Sequence, residues 1–284
     1  MSSQAADFLV LSKFDLTGKS VLITGGAGLL GFQHAAAILE VGGRVVLTDI
    51  SASELEKSTV RLREIFSDDL IVSMFMDVTD FNSVDTVFCS LQDRDIQVSV
   101  LVNNAMIDAK VTTSGKVTQS TRLEALDIVD WNRQLAVGLT GAAICTQIFG
   151  RAMAENGSGV ILNIGSDLSV IAPDQRIYLR DGVSREDQSV KPLAYSVVKA
   201  GLAGLTRYVA AYWGHRGVRC NMISPGPVLV DQSPEFLDRL MHHIPLGRLA
   251  QVDEYQSAIQ FMCSDASSYL NGHNLVMDGG RTIW

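Results

Sequence analysis

Tyr195 and Lys199 stand four positions apart in an apolar run, Ala194 to Trp213, that contains no proline. On a helix this spacing puts both side chains on one face, with Cβ atoms roughly 5–6 Å apart. An ammonium beside a phenol favours the phenolate and would draw its pKa down from about 10 toward the working range. Such a tyrosine can give a proton to a carbonyl oxygen or take one from an alcohol. A half-buried tyrosine beside a surface lysine is the plain alternative, and the pair alone does not choose between the two.

A second chemical signal lies near the start of the chain. Thr24-Gly25-Gly26-Ala27-Gly28-Leu29-Leu30-Gly31 follows the apolar stretch Ser20–Thr24 and opens a helical pattern. Glycines there allow a tight turn and let backbone N–H groups approach a pyrophosphate at a helix N-terminus. Gly31 permits close packing of helix on sheet. Asp49 closes the next apolar stretch, Arg44–Asp49. A carboxylate at that place accepts hydrogen bonds from ribose hydroxyls and repels a 2′-phosphate. Residues 50–53 carry no Arg or Lys, and Arg44 sits at the far end of the stretch. These residues point to NAD in preference to NADP, the alternative being that Asp49 is an ordinary loop acid.

The elements that must position these residues alternate in type. Strands are predicted at 20–24, 44–49, 70–76, 98–103, 160–164, 218–223 and 274–277. Helices are predicted at 29–41, from the cap Ser51 to 66, 79–91, 128–155, 193–214 and 252–263. That rhythm implies βαβ units and an α/β fold, a doubly wound parallel sheet flanked by helices, with the ligand across the carboxyl ends of the strands. No linker interrupts it. We read an arm over 1–18 and one dinucleotide-binding catalytic domain over 19–284.

Composition narrows the classes. A formal net charge of −8 argues against a nucleic-acid partner. Cys89, Cys145, Cys220 and Cys263 are scattered, and with His34, His215, His242, His243 and His273 they show no metal-ligand spacing. Buried thiols in a reducing compartment are expected. The apolar run Phe8–Leu11 is too short for a signal peptide or a membrane span, so a cytoplasmic protein is expected, with a small-molecule substrate and no membrane partner.

Taken together, the glycine loop, Asp77-Val78, Asn103-Asn104-Ala105, Ser166, Tyr195/Lys199 and Pro225-Gly226 resemble the short-chain dehydrogenase/reductase family, in that family's order. The likeness runs from Phe14 to the ending Met277-Asp278-Gly279-Gly280. It implies a single-domain Rossmann fold and hydride transfer between a nicotinamide and an alcohol/ketone pair. Gly25, Gly28, Leu30, Gly31 and Asp49 would hold the cofactor. Asp77 and Val78 would border its adenine, and Asn103 and Ala105 its middle. Pro225, Gly226 and Val228 would lie by the nicotinamide. Ser166 would hold the substrate oxygen and Tyr195 would exchange its proton. Lys199 would bind the nicotinamide ribose and lower the tyrosine pKa. A homotetramer or dimer is implied through helix 252–263 and the last strand.

Three departures stand out. The glycine spacing T-G-x-x-G-x-x-G is the one usual among nucleotide-sugar epimerases and dehydratases, with Leu29 where single-domain members carry glycine. Gly138 occupies a position where the family commonly has Asn, at a helix kink whose carbonyl holds a relay water. Glycine keeps that carbonyl and tolerates a kink, so the relay is expected to survive. A slow or inactive enzyme is the competing view. Finally, Ser166 and Tyr195 are 29 positions apart, wider than the family's usual spacing. The excess falls in a polar loop, 173–192, at the expected site mouth. Its Arg176, Arg180 and Arg185 suit phosphate or carboxylate groups, and Lys191 adds a further cation. A solvated loop whose charges pair among themselves, or an oligomer contact, is the alternative.

The wording around Tyr195–Lys199, Ile244–Arg248 and Asp278–Trp284 also resembles a bacterial subgroup linked with flagellin and surface-glycan sugar modification. The function implied is oxidation or reduction of a polar, sugar-derived substrate. A sugar epimerase or dehydratase that retains its NAD, and a catalytically weak cofactor-binding regulator, are the alternatives.

Overall fold

The computed structural model describes residues 10–107, 121–184 and 186–284. Arg185, the first half of the arm and most of the polar stretch before residue 121 lie outside the described residues. Among those described, seven strands form one parallel sheet in the order β3-β2-β1-β4-β5-β6-β7. They are β1 Ser20–Thr24, β2 Arg44–Asp49, β3 Ile71–Phe75, β4 Val98–Asn103, β5 Gly159–Ile164, β6 Val218–Pro225 and β7 Asn274–Met277. The order reverses between β1 and β4, which places the switch point beside the glycine loop.

Helices cover both faces. They are α1 Leu29–Glu40, α2 Ala52–Arg63, α3 Phe81–Asp93, α4 Ile128–Leu135, α5 Gly141–Glu155, α6 Leu193–Trp213, α7 Pro234–Met241 and α8 Gln256–Cys263. The central strands β1, β4, β5 and β6 are buried along nearly their whole length because both faces are covered. Successive residues still part company: Val21 and Ile23 join the core under α1 and α8, while Leu22 joins the core under α3 and α5. The sheet is therefore held as one domain by two apolar layers.

Capping explains several boundaries. Ser51 accepts the Glu54 N–H and starts α2, and Asp80 accepts the Asn82 N–H and starts α3. The helix expected from residue 252 begins only at Gln256. Glu254 is drawn into a turn, accepting the Gln251 N–H and pairing with Arg248. The stretch expected as one helix over 128–155 is two helices joined by a π turn, Ala136–Thr140. It is long and apolar enough to cross a membrane by length and composition. Here, however, its Ile148, Phe149 and Met153 are buried in the second core.

Candidate active site

The carboxyl edge of the sheet gathers the residues singled out by their chemistry. At the end of β1 the chain turns at Gly25, with φ +62, where a Cβ would lie 2.9 Å from the Ala105 Cα. A Cβ on Gly31 would run into the Gly25 carbonyl and sit 2.8 Å from the Gly26 Cα. The end of β4 fastens this loop. Thr24 Oγ1 accepts the N–H groups of Asn104 and Ala105, each at 3.0 Å. Asn104 Nδ2 donates to the carbonyls of Thr24 and Gly25.

Helix α1 makes its first internal hydrogen bond from Phe32 N–H to the Gly28 carbonyl, and no side chain caps its start. The N–H groups of Leu29, Leu30 and Gly31 thus face outward at the positive end of a helix, which fits a pyrophosphate. Leu29 stands where the commoner spacing has glycine and is 53% exposed, so its side chain leaves the turn undisturbed. Asp49 Oδ2 accepts the Ala27 N–H at 3.2 Å and Oδ1 the Ser51 N–H at 2.9 Å. This holds a carboxylate beside the loop.

Asp77 bends the chain after β3, accepting from the N–H and hydroxyl of Thr79. Val78 is buried against Gly141. Asn103 ends β4. Its side chain is buried in a polar ladder, donating to Thr146 Oγ1 at 3.2 Å and Asn163 Oδ1 at 2.9 Å. Only its backbone lies at the edge, and Asn104 is the residue whose side chain reaches the loop.

Helix α6 packs on β6 and on the turn Asp167–Ser169. Lys199 is 5% exposed and its Nζ donates to the Ile164 carbonyl at 2.7 Å. That carbonyl ends β5, two residues before Ser166, so one hydrogen bond fixes the lysine beside the serine. The Lys199 Nζ lies 5.7 Å from the centre of the half-buried Tyr195 ring. Ser166 Oγ donates to Asp167 Oδ1 at 2.8 Å and accepts the Leu168 N–H at 3.2 Å. Asp167 in turn pairs with Arg281 from the C-terminal tail, both groups buried. Spacing gave no sign of this link, which joins residues 114 positions apart.

The same tail abuts the loop after β6. A Cβ on Gly226 would lie 2.6 Å from the Asp278 Cα, and the Tyr255 hydroxyl donates to the Gly226 carbonyl at 3.1 Å. Burial and the nearby Asp167 raise the Tyr255 pKa well above the ordinary phenol value, so this tyrosine stays protonated and structural. Pro225 ends β6, and Val228 bridges to Ala250.

The 173–192 loop is tied down rather than loose. A short 3-10 turn, Gln175–Tyr178, buries Ile177 with Leu240, Ile244 and Leu249. Tyr178 packs on Phe236 of α7, with ring centres 5.4 Å apart. The Gln188 side chain accepts from the Arg180 N–H and donates to the carbonyls of Arg180 and Val183. Arg176 is spent on Asp174, whose carboxyl it holds down at a pKa of about 2. That is the internal pairing of the solvated-loop alternative. Lys191, at the end of the loop, places its Nζ 3.8 Å from the Tyr195 ring centre.

Three further features lie outside this group of residues. His34 on α1 is 1% exposed, and neither ring nitrogen has a hydrogen-bond partner. Burial and the Lys199 charge depress its pKa to about 3, so it stays neutral. Cys145, Cys220 and Cys263 are buried, with thiols pushed up to about 12 by burial. A cleft of about 510 Å³ opens at the opposite edge, by the amino ends of β4, β5 and β6. Its Arg219 is consumed by Ser264, Ser267 and Leu270.

A parallel sheet with a pyrophosphate loop at its switch point, and a Ser, Tyr and Lys at the same edge, defines a nicotinamide-dependent oxidoreductase. Comparison with known proteins agrees. The family profile described as short chain dehydrogenase matches residues 19–178, and one described as enoyl-(acyl carrier protein) reductase matches 182–282. The chain belongs to the short-chain dehydrogenase family. It is 32% identical to the D-threitol dehydrogenase of Mycolicibacterium smegmatis, over 99% of both chains. The crystal structure of a gluconate 5-dehydrogenase from Burkholderia cenocepacia, in complex with NADP and tartrate, superposes with a TM-score of 0.82. It is 28% identical, covering 97% of this chain and 100% of that one. A short chain dehydrogenase from Leptospira borgpetersenii with bound NAD+ gives 0.78, at 28% identity and 95% coverage of both.

Proposed function

We propose that this chain is an NAD-dependent dehydrogenase that interconverts an alcohol and a ketone on a polyol or other sugar-derived substrate. The observation that carries the reading is the buried Lys199, one helical turn from Tyr195 and held by the Ile164 carbonyl two residues before Ser166. The substrate class rests on the threitol and gluconate named for the similar proteins. The resemblance to the surface-glycan subgroup rests on local wording only and adds no substrate of its own.

With its pyrophosphate at the glycine loop, the cofactor would supply or accept the hydride at its nicotinamide. The protein's part is proton transfer and orientation. Tyr195 exchanges the proton with the substrate oxygen, and Lys199 favours the phenolate by its charge. Ser166 receives the substrate oxygen. Its own proton is directed at Asp167, so it offers a lone pair to an alcohol O–H. The carboxylate of Asp49, held beside the glycine loop by the Ala27 and Ser51 N–H groups, supports NAD over NADP because it would repel a 2′-phosphate there. The glycine spacing, the ground for an epimerase or dehydratase, is absorbed locally by the exposed Leu29 and supports neither.

We further propose a cytoplasmic homo-oligomer, with catalysis in residues 19–284 and substrate choice in the 173–192 loop. The main test is Tyr195→Phe, assayed on a panel of polyols and their ketones. Turnover lost with NADH binding retained supports the reading, and unchanged turnover overturns the assignment of Tyr195.

A further inference from the structure

We propose that Lys191 is a second cation acting on the acid–base tyrosine, held in place by the 173–192 loop, so that this loop tunes proton transfer as well as framing the substrate. The inference rests on the reading of Tyr195 as the acid–base group, and the test below separates failure of one from failure of the other.

The first ground is geometry. The Lys191 Nζ sits 3.8 Å from the Tyr195 ring centre, nearer than the Lys199 Nζ at 5.7 Å. The two ammonium groups come from residues four positions before and four after the tyrosine, so the phenol has a cation on either side in sequence. A cation over an aromatic face is attracted by the ring's electron density. Loss of the phenol proton raises that density, so Lys191 stabilises the phenolate more than the phenol. This is the same direction of effect as Lys199.

The second ground is that the lysine is built into place. Its N–H donates to Gln175 Oε1 at 2.8 Å, and its carbonyl accepts from Gln175 Nε2 at 3.3 Å. Gln175 opens the 3-10 turn whose Ile177 is buried with Leu240, Ile244 and Leu249. The neighbouring Val190 N–H donates to Thr121 Oγ1 at 2.9 Å. On the other side, Pro192 is the N-cap of α6 and fixes the chain direction into Tyr195. The backbone of Lys191 is thus clamped on both sides within four residues of the tyrosine.

Other charges near this helix are accounted for. On α6 itself Lys199 is bound to the Ile164 carbonyl. On the turn after β5, Asp167 is neutralised by Arg281. On α4, Asp130 pairs with Arg133 and accepts from Gln134. Arg219 on β6 and His215 and Arg216 after α6 lie at the far end of the sheet and helix. Among these described groups, Lys191 and Lys199 are the two whose charges lie over the ring, and Lys191 is the nearer.

The test is a substrate-free ultraviolet titration in the tyrosinate band, with each protein measured against the same protein carrying Tyr195→Phe. The difference isolates the ionisation of this one phenol among six tyrosines. Lys191→Gln should move the Tyr195 transition to higher pH by about one unit, the lower end of what an opposite charge within ~4–6 Å produces. Lys191→Arg should restore it, and Gln175→Ala should shift it the same way by less. With any oxidised polyol, the alkaline-rising limb of kcat/KM should move by the same amount. An unmoved transition in Lys191→Gln, with or without a raised KM or a lowered melting temperature, overturns the inference and leaves Lys191 a substrate or packing residue. Should Tyr195→Phe itself retain full turnover, the underlying reading fails instead.

Discussion

Gly138 is the position where the protein's departure from its family can be tested most sharply. It lies in the π turn between α4 and α5 and is buried. A Cβ added there would come within 2.5 Å of Met106 Sδ and 2.5 Å of Val198 Cγ1, where carbon contacts are comfortable at roughly 3.5–4.0 Å. The overlap is therefore about 1 Å on both sides. Met106 can swing aside, since its side chain is unbranched. Val198 cannot, because a β-branched residue on a helix has essentially one rotamer, and it adjoins Lys199.

Restoring asparagine would overpack this contact at a cost of about 1–3 kcal/mol. At roughly 2–4 °C per kcal/mol for a chain of this size, Gly138→Asn should melt roughly 2–12 °C lower. Gly138→Ala should already show much of that loss, because the clash begins at Cβ. Adding Met106→Ala to Gly138→Asn should recover part of it. Thermal melts and turnover of the four proteins decide the matter. Gly138→Asn melting like the wild type, with turnover raised several-fold, would refute the packing argument and show that the native relay is impaired. On the structure, the glycine and Met106 are two halves of one packing exchange, and the backbone carbonyl of residue 138 is unchanged by it.

Two further outcomes follow from buried ionisable groups. Arg281→Met strands Asp167 without its partner and should cost about 3–5 kcal/mol, read as a lower melting temperature together with lost turnover through Ser166. Asp167→Asn/Arg281→Met should recover much of the stability, and two additive single effects would contradict the pairing. His34 is neutral in the fold, with a pKa of about 3 against an ordinary 6.5. The unfolded chain then binds the extra proton, so stability is complete above about 6.5 and falls as pH drops toward 3. His34→Leu, which also removes two nitrogens without hydrogen-bond partners, should flatten denaturant-melt stability over that window. Equal acid sensitivity in the two proteins would show that His34 is not its source.

What could be read from the sequence follows how local its cause is. β1, β2 and β7 sit at the expected residues because their apolar runs are bounded by turn-formers on each side. The π turn at Gly138 was not legible in the apolar pattern, which reads as one helix over 128–155, and only the family resemblance implied a kink there; the packing of Met106 against this glycine is a tertiary fact. Asn103 and Asn104 are adjacent, and strand alternation sends them to opposite sides. The sequence alone does not say which one meets the glycine loop, and the answer is Asn104. In the 173–192 loop the arginines looked like the functional cations by type. Arg176 has an acid two residues away and is consumed by it. Lys191 is delivered to Tyr195 by Gln175, sixteen positions earlier, a pairing no periodicity announces.

These placements divide the site by what holds it. The cofactor loop, Lys199 and Ser166 are fixed by backbone groups at strand ends, through Thr24, Ile164 and Leu168. Their geometry is as rigid as the sheet. The side that the proposed function gives to the substrate is held by a separate, smaller core, in which Ile177 of the loop packs with Leu240, Ile244 and Leu249 around α7. That core connects to the chemistry through the Gln175–Lys191 clamp, one residue before α6 begins at its cap. A change in the residues that frame the substrate is thereby felt at the acid–base tyrosine without passing through the sheet. The loop can vary for a new substrate while the cofactor edge stays fixed, but only variants that keep Lys191 in register with Tyr195 keep the same proton affinity at the reacting oxygen.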